Sequence, residues 1–152
     1  NISRFAFRRA LQDVYEAVAI DARNHGHTLT FQAPEGLPEV NGDRERIEQV
    51  LMNVMSNAIK YTPDGGTITV SLAKVGRDAV LDISDTGVGI PAEDLPHVFD
   101  RFYKADRSRS LDKTGAGLGL YIVKMVLDRH GADYRMENTP QGVQATVVFP
   151  AP

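Results

Sequence analysis

The chain has no cysteine among its 152 residues, which excludes a disulfide framework and thiol catalysis and fits a reducing compartment. It also lacks any long block of one charge sign, and its formal net charge is only −3. A nucleic-acid groove or a basic membrane-binding face is therefore disfavoured as the main function. No apolar run approaches the roughly 20 residues that span a bilayer, and the opening "NISRFAFRRALQD" lacks the apolar centre of a signal peptide. The chain reads as soluble. What it does have is ordinary for a folded domain: 42% hydrophobic and 24% charged residues, at a length that can bury one core without metal or disulfide staples. One domain over residues 1–152 is expected. The chain opens without Met and enters a helical pattern almost at once, so it reads as an excised piece of a longer protein.

Apolar residues at three- and four-residue spacing predict a helix over about 5–24, ended near Asn24-His25-Gly26. "HTLTFQA" alternates like a short strand, and "PEGLPEVNG" reads as a turn-rich connection. Asp43 is a suitable N-cap for a second helix running to about Tyr61. "TITVSLAKV" and "AVLDISD" read as a β-hairpin. Pro91 fits the first turn of a short helix through about Val98. Residues 100–116 read as a mobile loop. A third helix is expected over 118–130, closed by Gly131, and "DYRMEN" and "GVQATVVFP" as two final strands. Antiparallel strand pairs with helices between them predict an α/β two-layer sandwich, one mixed and largely antiparallel sheet with helices on one face.

Four stretches carry chemistry. In "NVMSNAIKYTP", the second helix presents an apolar stripe from Ile47 to Ile59 and a second, polar one. At 100° per residue, Asn57 lies about 40° from Asn53, and Lys60 about 20° to the other side. A solvated face would explain such a stripe. Two Asn one turn apart, however, compete for backbone hydrogen bonds and cost helix stability unless they bind something. Two amide oxygens and an ammonium suit a hydrated Mg²⁺ with phosphates.

In "LDISDTGVGIPA", a strand ends at Asp85 and gives way to Gly87 and Gly89, which permit close backbone approach to a ligand. The run from Gly87 to Ala92 matches the dinucleotide fingerprint, but residues 93–117 lack the following strand that fingerprint requires. A buried carboxylate there suits the exocyclic amine of adenine. A plain turn aspartate with structural glycines fits the stretch equally. "KTGAGLGLYIVK" leads three glycines, Gly115, Gly117 and Gly119, into a helix start whose N–H groups can hold phosphate. A hinge before a helix reads the same way. In "VFDRFYKADRSRS", Phe99, Phe102 and Tyr103 beside Arg101 and Lys104 either pack or anchor a loop that supplies cations to a polyphosphate.

In order, "NVMSNAIKYTP", "DTGVGIP", "FDRFYK" and "GAGLGL" closely resemble the N, G1, F and G2 boxes of the catalytic ATP-binding domain of sensor histidine kinases. That domain belongs to the ATPase superfamily shared with gyrase, Hsp90 and MutL. The resemblance spans roughly residues 28–150 and implies a Bergerat-type fold binding ATP and Mg²⁺. By the match, Asn57 would coordinate Mg²⁺ with Asn53 assisting, Lys60 would pair with phosphate, and Tyr61 would pack near the nucleotide. Asp85 would accept from the adenine amine, with Gly87 and Gly89 allowing the approach and Ile90 lining the base pocket. Gly115, Gly117 and Gly119 would admit the triphosphate beside Leu118 and Leu120. Arg101 and Lys104, in the lid, would contact phosphate or the phosphoacceptor helix.

The resemblance further implies an enzyme that transfers the γ-phosphoryl group to a His on a separate dimerisation domain, then to a response regulator receiver domain. It implies a cytoplasmic location, a parent protein in the inner membrane, a monomeric fragment and a homodimeric whole. Two features depart from the family pattern. Val143 and Ala145 stand where family members often have a hydroxyl near adenine, and none of His25, His27, His97 or His130 lies in a phosphoacceptor context. A Ser-kinase anti-sigma factor and a degenerate nucleotide-sensing module share the fold. The aromatic F box and the long lid favour the histidine kinase.

Overall fold

The computed structural model describes residues 2–33, 39–100 and 119–150. Strand β1 (Ser3–Ala6) leads into helix α1 (Phe7–Asn24). Strands β2 (Thr28–Gln32) and β3 (Glu39–Gly42) precede helix α2 (Arg44–Tyr61). The hairpin β4 (Thr67–Val75) and β5 (Asp78–Asp85) follows, and helix α3 (Gly119–Arg129) and strands β6 (Asp133–Asn138) and β7 (Val143–Phe149) complete the chain. The main sheet runs β2-β4-β5-β7-β6. Its β2–β4 pair is parallel and the other three pairs are antiparallel. A parallel pair needs a crossover, and α2 lies within it.

Alternation decides the layers. Ile68, Val70 and Leu72 of β4, Ala79, Leu81 and Ile83 of β5, and Val143, Ala145, Val147 and Phe149 of β7 are buried on one face. Phe7, Leu11 and Val14 of α1, the α2 stripe from Ile47 to Ile59, and Val123 and Leu127 of α3 share that core. Phe7 meets Phe149 edge-on at 4.8 Å between ring centres, tying the first helix to the last strand. The opposite face is polar, and there Asp82 accepts from Gln144 Nε2 at 2.9 Å and Thr146 Oγ1 at 2.7 Å. This is the expected two-layer sandwich.

Three local expectations change. Residues 3–6 are a strand rather than the start of α1, pairing antiparallel with 39–42 so that Phe5 lies opposite Val40, both buried. The connection "PEGLPEVNG" thus ends in a strand. The segment after Pro91 forms turns and a single 3₁₀ turn, Leu95–His97, because Pro96 has no N–H to continue an α-helix. At the end of α3, Gly131 does take the left-handed conformation, with φ of 65°.

Candidate functional site

Helix α2 starts where the sequence places it: the Asp43 carboxylate caps the N–H of Arg46 at 3.4 Å. Its apolar stripe fastens it to the sheet. Asn53 and Asn57 are left half-buried at the border of the interface, and Lys60 exposed at the last turn. Asn57 lines a small cleft with Val54 and Ala58. The facing wall is the sheet, with Ile83 and Asp85 of β5, Val143 and Ala145 of β7 and Met136 of β6. Among the described residues of this lining, the polar ones are Asn57 and Asp85, one from each layer. Sequence reasoning named both for one ligand, and the fold brings them to one cleft.

The Asp85 carboxylate accepts from the N–H of Gly87 at 2.8 Å and from the backbone of Val143. Burial nonetheless pushes its pKa above the usual aspartate value, the two hydrogen bonds and the nearby His27 acting in the opposite direction. The next residues run across the strand ends. A Cβ on Gly87 would lie 2.6 Å from the Tyr61 carbonyl oxygen, so this glycine lets the strand end meet the end of α2. Ile90, half-buried, donates its N–H to Asn138 Oδ1 at 2.8 Å and accepts from Asn138 Nδ2 at 2.7 Å.

Asn53 Nδ2 donates to the carbonyl of Gly119 at 3.4 Å, joining α2 to the first residue of α3. Leu120 beside it packs against the core. The Lys60 ammonium lies 5.4 Å from the centre of the Tyr61 ring. Arg101, Lys104, Gly115, Gly117 and Leu118 lie outside the described residues. Phe99, the first aromatic of the F box, packs edge-on against Tyr134 at 4.9 Å.

Among the described residues no group of three or more His, Cys, Asp or Glu is placed to hold a metal. The Asn57 amide, half-buried at the cleft, is a hard oxygen donor. It fits a Mg²⁺ that takes most of its ligands from phosphates and water.

Some contributors carry no motif. Gly142, at the turn into β7, leaves room for the Asp85 carbonyl and the Gly87 amide, both of which a Cβ would strike. Asn138 bonds both backbone groups of Ile90. His27 is buried, and its Nε2 lies 2.9 Å from the Thr62 carbonyl at the end of α2. Of these, only the glycine of "TPQGV" offered a signal, and it reads as a turn. His130, just past the end of α3, accepts at Nε2 from the N–H of Asp43 at 3.0 Å.

Residues 42–152 match the family described as histidine kinase-, DNA gyrase B- and HSP90-like ATPase. The sensor histidine kinase WalK of Bacillus subtilis (strain 168) is 42% identical over 112 residues, 72% of this chain and 18% of WalK. The sensor protein SrrB of Staphylococcus aureus is 40% identical over 111 residues, 72% of this chain and 19% of SrrB. The chain thus spans about a fifth of the length of these relatives. The nucleotide-free catalytic domain of histidine kinase ThkA superposes with a TM-score of 0.87 at 28% identity, covering 100% of this chain and 99% of that one. ThkA in complex with the response regulator protein TrrA gives 0.82 at 26% identity, covering 99% and 42%. The chain belongs to the histidine kinase-, DNA gyrase B- and HSP90-like ATPases, and is an ATP-binding domain of the kind found in sensor histidine kinases.

Proposed function

We propose that residues 1–152 form the catalytic domain of a two-component sensor histidine kinase, which passes the γ-phosphoryl group of ATP to a His on a separate dimerisation domain. The observation that carries this reading is the cleft in which Asn57 of the helix layer faces Asp85 of the sheet layer. Asp85 accepts a hydrogen bond from the adenine amine, and Ile90 and Tyr61 flank the base. Asn57, assisted by Asn53, would hold Mg²⁺, which would neutralise phosphate charge. Lys60 pairs with phosphate, and Gly119 and Leu120 open α3 beside it. By the family match, Arg101 and Lys104 contact phosphate or the phosphoacceptor helix, and Gly115, Gly117 and Leu118 belong to the stretch that admits the triphosphate.

Catalysis here is positioning and charge neutralisation. The imidazole nitrogen of the acceptor His attacks the γ-phosphorus in line, a P–N bond forms, the P–O bond to ADP breaks, and the imidazole proton passes to solvent. In this mechanism no residue of the chain need act as nucleophile. The hydrolytic members of this ATPase superfamily activate water with a carboxylate one turn before the metal-binding Asn. That place is Asn53 here, which is no base, so phosphotransfer outruns hydrolysis. Its own histidines have other work: His27 is buried, His130 is bonded to α2, and His97 pairs with Asp100 at 2.9 Å.

The parent protein is a membrane-anchored homodimer whose phosphoryl group goes on to a response regulator, as the ThkA–TrrA pair supports by analogy. The fragment itself is monomeric and works in the cytoplasm. No helix among its described residues is long and apolar enough to cross a membrane. The test is calorimetric titration with a non-hydrolysable ATP analogue, with and without Mg²⁺ and with GTP as control, followed by addition of a dimerisation domain in trans. Saturable, Mg²⁺-dependent, adenine-selective binding and phosphohistidine on the added domain are expected. Absence of binding would sink the reading.

A further inference from the structure

The segment that leaves Asp85 is fixed at its far end by a side chain that no motif marks. Asn138 closes β6 and lies opposite Val143 of β7, which lies opposite Asp85 of β5, so the three form a row across the sheet. From Asp85 the chain folds over the start of β7. Gly142 permits this, because a Cβ there would strike the Asp85 carbonyl and the Gly87 amide. The chain then reaches Asn138, whose Oδ1 accepts from the Ile90 N–H at 2.8 Å and whose Nδ2 donates to the Ile90 carbonyl at 2.7 Å. One amide side chain thus satisfies both backbone groups of one residue, as a neighbouring strand would. The amide orientation follows from its partners, since the N–H needs an acceptor and the C=O a donor.

Asn138 is exposed, so these bonds contribute little to global stability. Their effect is on place. Gly87 is held at the near end by Asp85, Ile90 at the far end by Asn138, and the two residues between them span the gap.

We propose that Asn138 is a positioning residue for base selectivity. By holding both backbone groups of Ile90, it sets the segment 87–90 at a fixed distance from the Asp85 carboxylate, so that a purine is read by its edge. This rests on the assignment of Asp85 and Ile90 to the base pocket. Nothing in the reaction passes through Asn138. Its influence is on which nucleotide is held, and how tightly.

The test uses the whole chain as Asn138→Ala and Asn138→Asp, with the wild type alongside. Each is titrated with a non-hydrolysable ATP analogue and its guanine counterpart, and followed by amide exchange at Ile90 and by thermal midpoint. In Asn138→Ala the Ile90 amide should lose protection and the midpoint should stay within about 3 °C. Affinity for the adenine analogue should fall roughly tenfold and the preference over guanine should shrink. Asn138→Asp keeps an acceptor for the N–H but sets a carboxylate oxygen against the Ile90 carbonyl, so it should bind no better than the alanine variant.

Wild-type affinity and preference in both variants would overturn the proposal. So would an equal loss for both nucleotides with the preference intact, which is what a merely structural role predicts. A wild-type chain without adenine preference would instead refute the base-pocket assignment, visibly and before any variant is compared, and the proposal would fall with it.

Discussion

The two sides of the candidate site are built differently. At the sheet end, the Asp85 carboxylate takes two backbone hydrogen bonds and Ile90 is held through both its backbone groups. At the helix end, Asn53 reaches the Gly119 carbonyl over a long 3.4 Å, and Lys60 is exposed with its ammonium 5.4 Å from the Tyr61 ring centre. A flat, uncharged base offers few strong interactions, so selectivity for it has to be built in before it arrives. A metal–triphosphate brings its own charge and can order side chains around itself. Under the proposed function, the more firmly held half would read the base and the other would meet the charge.

The strongest challenge to the rigid half is Gly142→Ala. A methyl group at this position points into the backbone of residues 85 and 87, and backbone cannot swing aside as the end of a side chain can. Overpacking of this kind costs about 3 kcal/mol, which for a chain of this size lowers the thermal midpoint by roughly 6–12 °C. Nucleotide binding should be lost along with the Asp85 geometry. Calorimetric melting together with titration checks both, and a variant with wild-type midpoint would show that β7 can shift without cost.

The adaptable half is tested by Asn57→Asp. The side chains are nearly the same size and the position is half-buried at the cleft border, so the fold should hold. A carboxylate beside a triphosphate adds repulsion and changes the metal's ligand set, and Mg-ATP use should fall on the order of a hundredfold. Titration and a phosphotransfer assay in trans measure this. Unchanged values in both would remove Asn57 from the metal.

Asp85 makes the two halves diverge with pH. Burial raises its folded pKa above the ordinary value, so the folded state favours the protonated form. Its contribution to stability is therefore full below the unfolded pKa and is lost as pH rises through the folded one. Asp85→Asn should remove this dependence and be at least as stable as the wild type at neutral pH. Binding runs the other way. If Asp85 accepts from the adenine amine, its ionised form accepts more strongly than its protonated one, so affinity should drop as pH falls through the raised pKa, and the asparagine variant should discriminate adenine from guanine poorly. Denaturation and binding measured on both proteins as the pH is lowered from neutral into the acid range test the opposition. Parallel trends would contradict it.

How much of this was written locally explains what could be read from the sequence. The α2 cap at Asp43, its two stripes, the β4–β5 hairpin and the C-terminal end of α3 depend on neighbours within a few residues, and each was legible. The β1–β3 ribbon was not. Its strands have four residues each, too few to establish a period, and they pair across more than 30 positions, as Phe5 with Val40. In the site, Asn57 and Asp85 could be found because a polar residue in an apolar pattern announces itself. Asn138 and Gly142 could not, since one acts through a backbone 48 residues away and the other through an atom it lacks. The sequence does mark Gly87 and Gly89 as a pair, but it does not distinguish them.

The structure distinguishes them, and the smallest expected effect follows. A Cβ on Gly87 would lie 2.6 Å from the Tyr61 carbonyl, so this glycine is required by the fold whatever binds. At Gly89 the nearest atom to an added Cβ is Asn138 Oδ1 at 3.4 Å, an ordinary contact, and the position is exposed. Gly89→Ala should therefore leave stability within about 0.5 kcal/mol of wild type. If the segment approaches the nucleotide closely, the methyl group still costs something there, roughly threefold in affinity. Gly87→Ala, by contrast, should lose stability and affinity together. Equal, nonspecific losses in both variants would mean that the segment moves as one body and that the near and far ends of the rigid half are not separately held. A loss of affinity alone at residue 89, with stability untouched, would separate a glycine kept for the ligand from one kept for the fold.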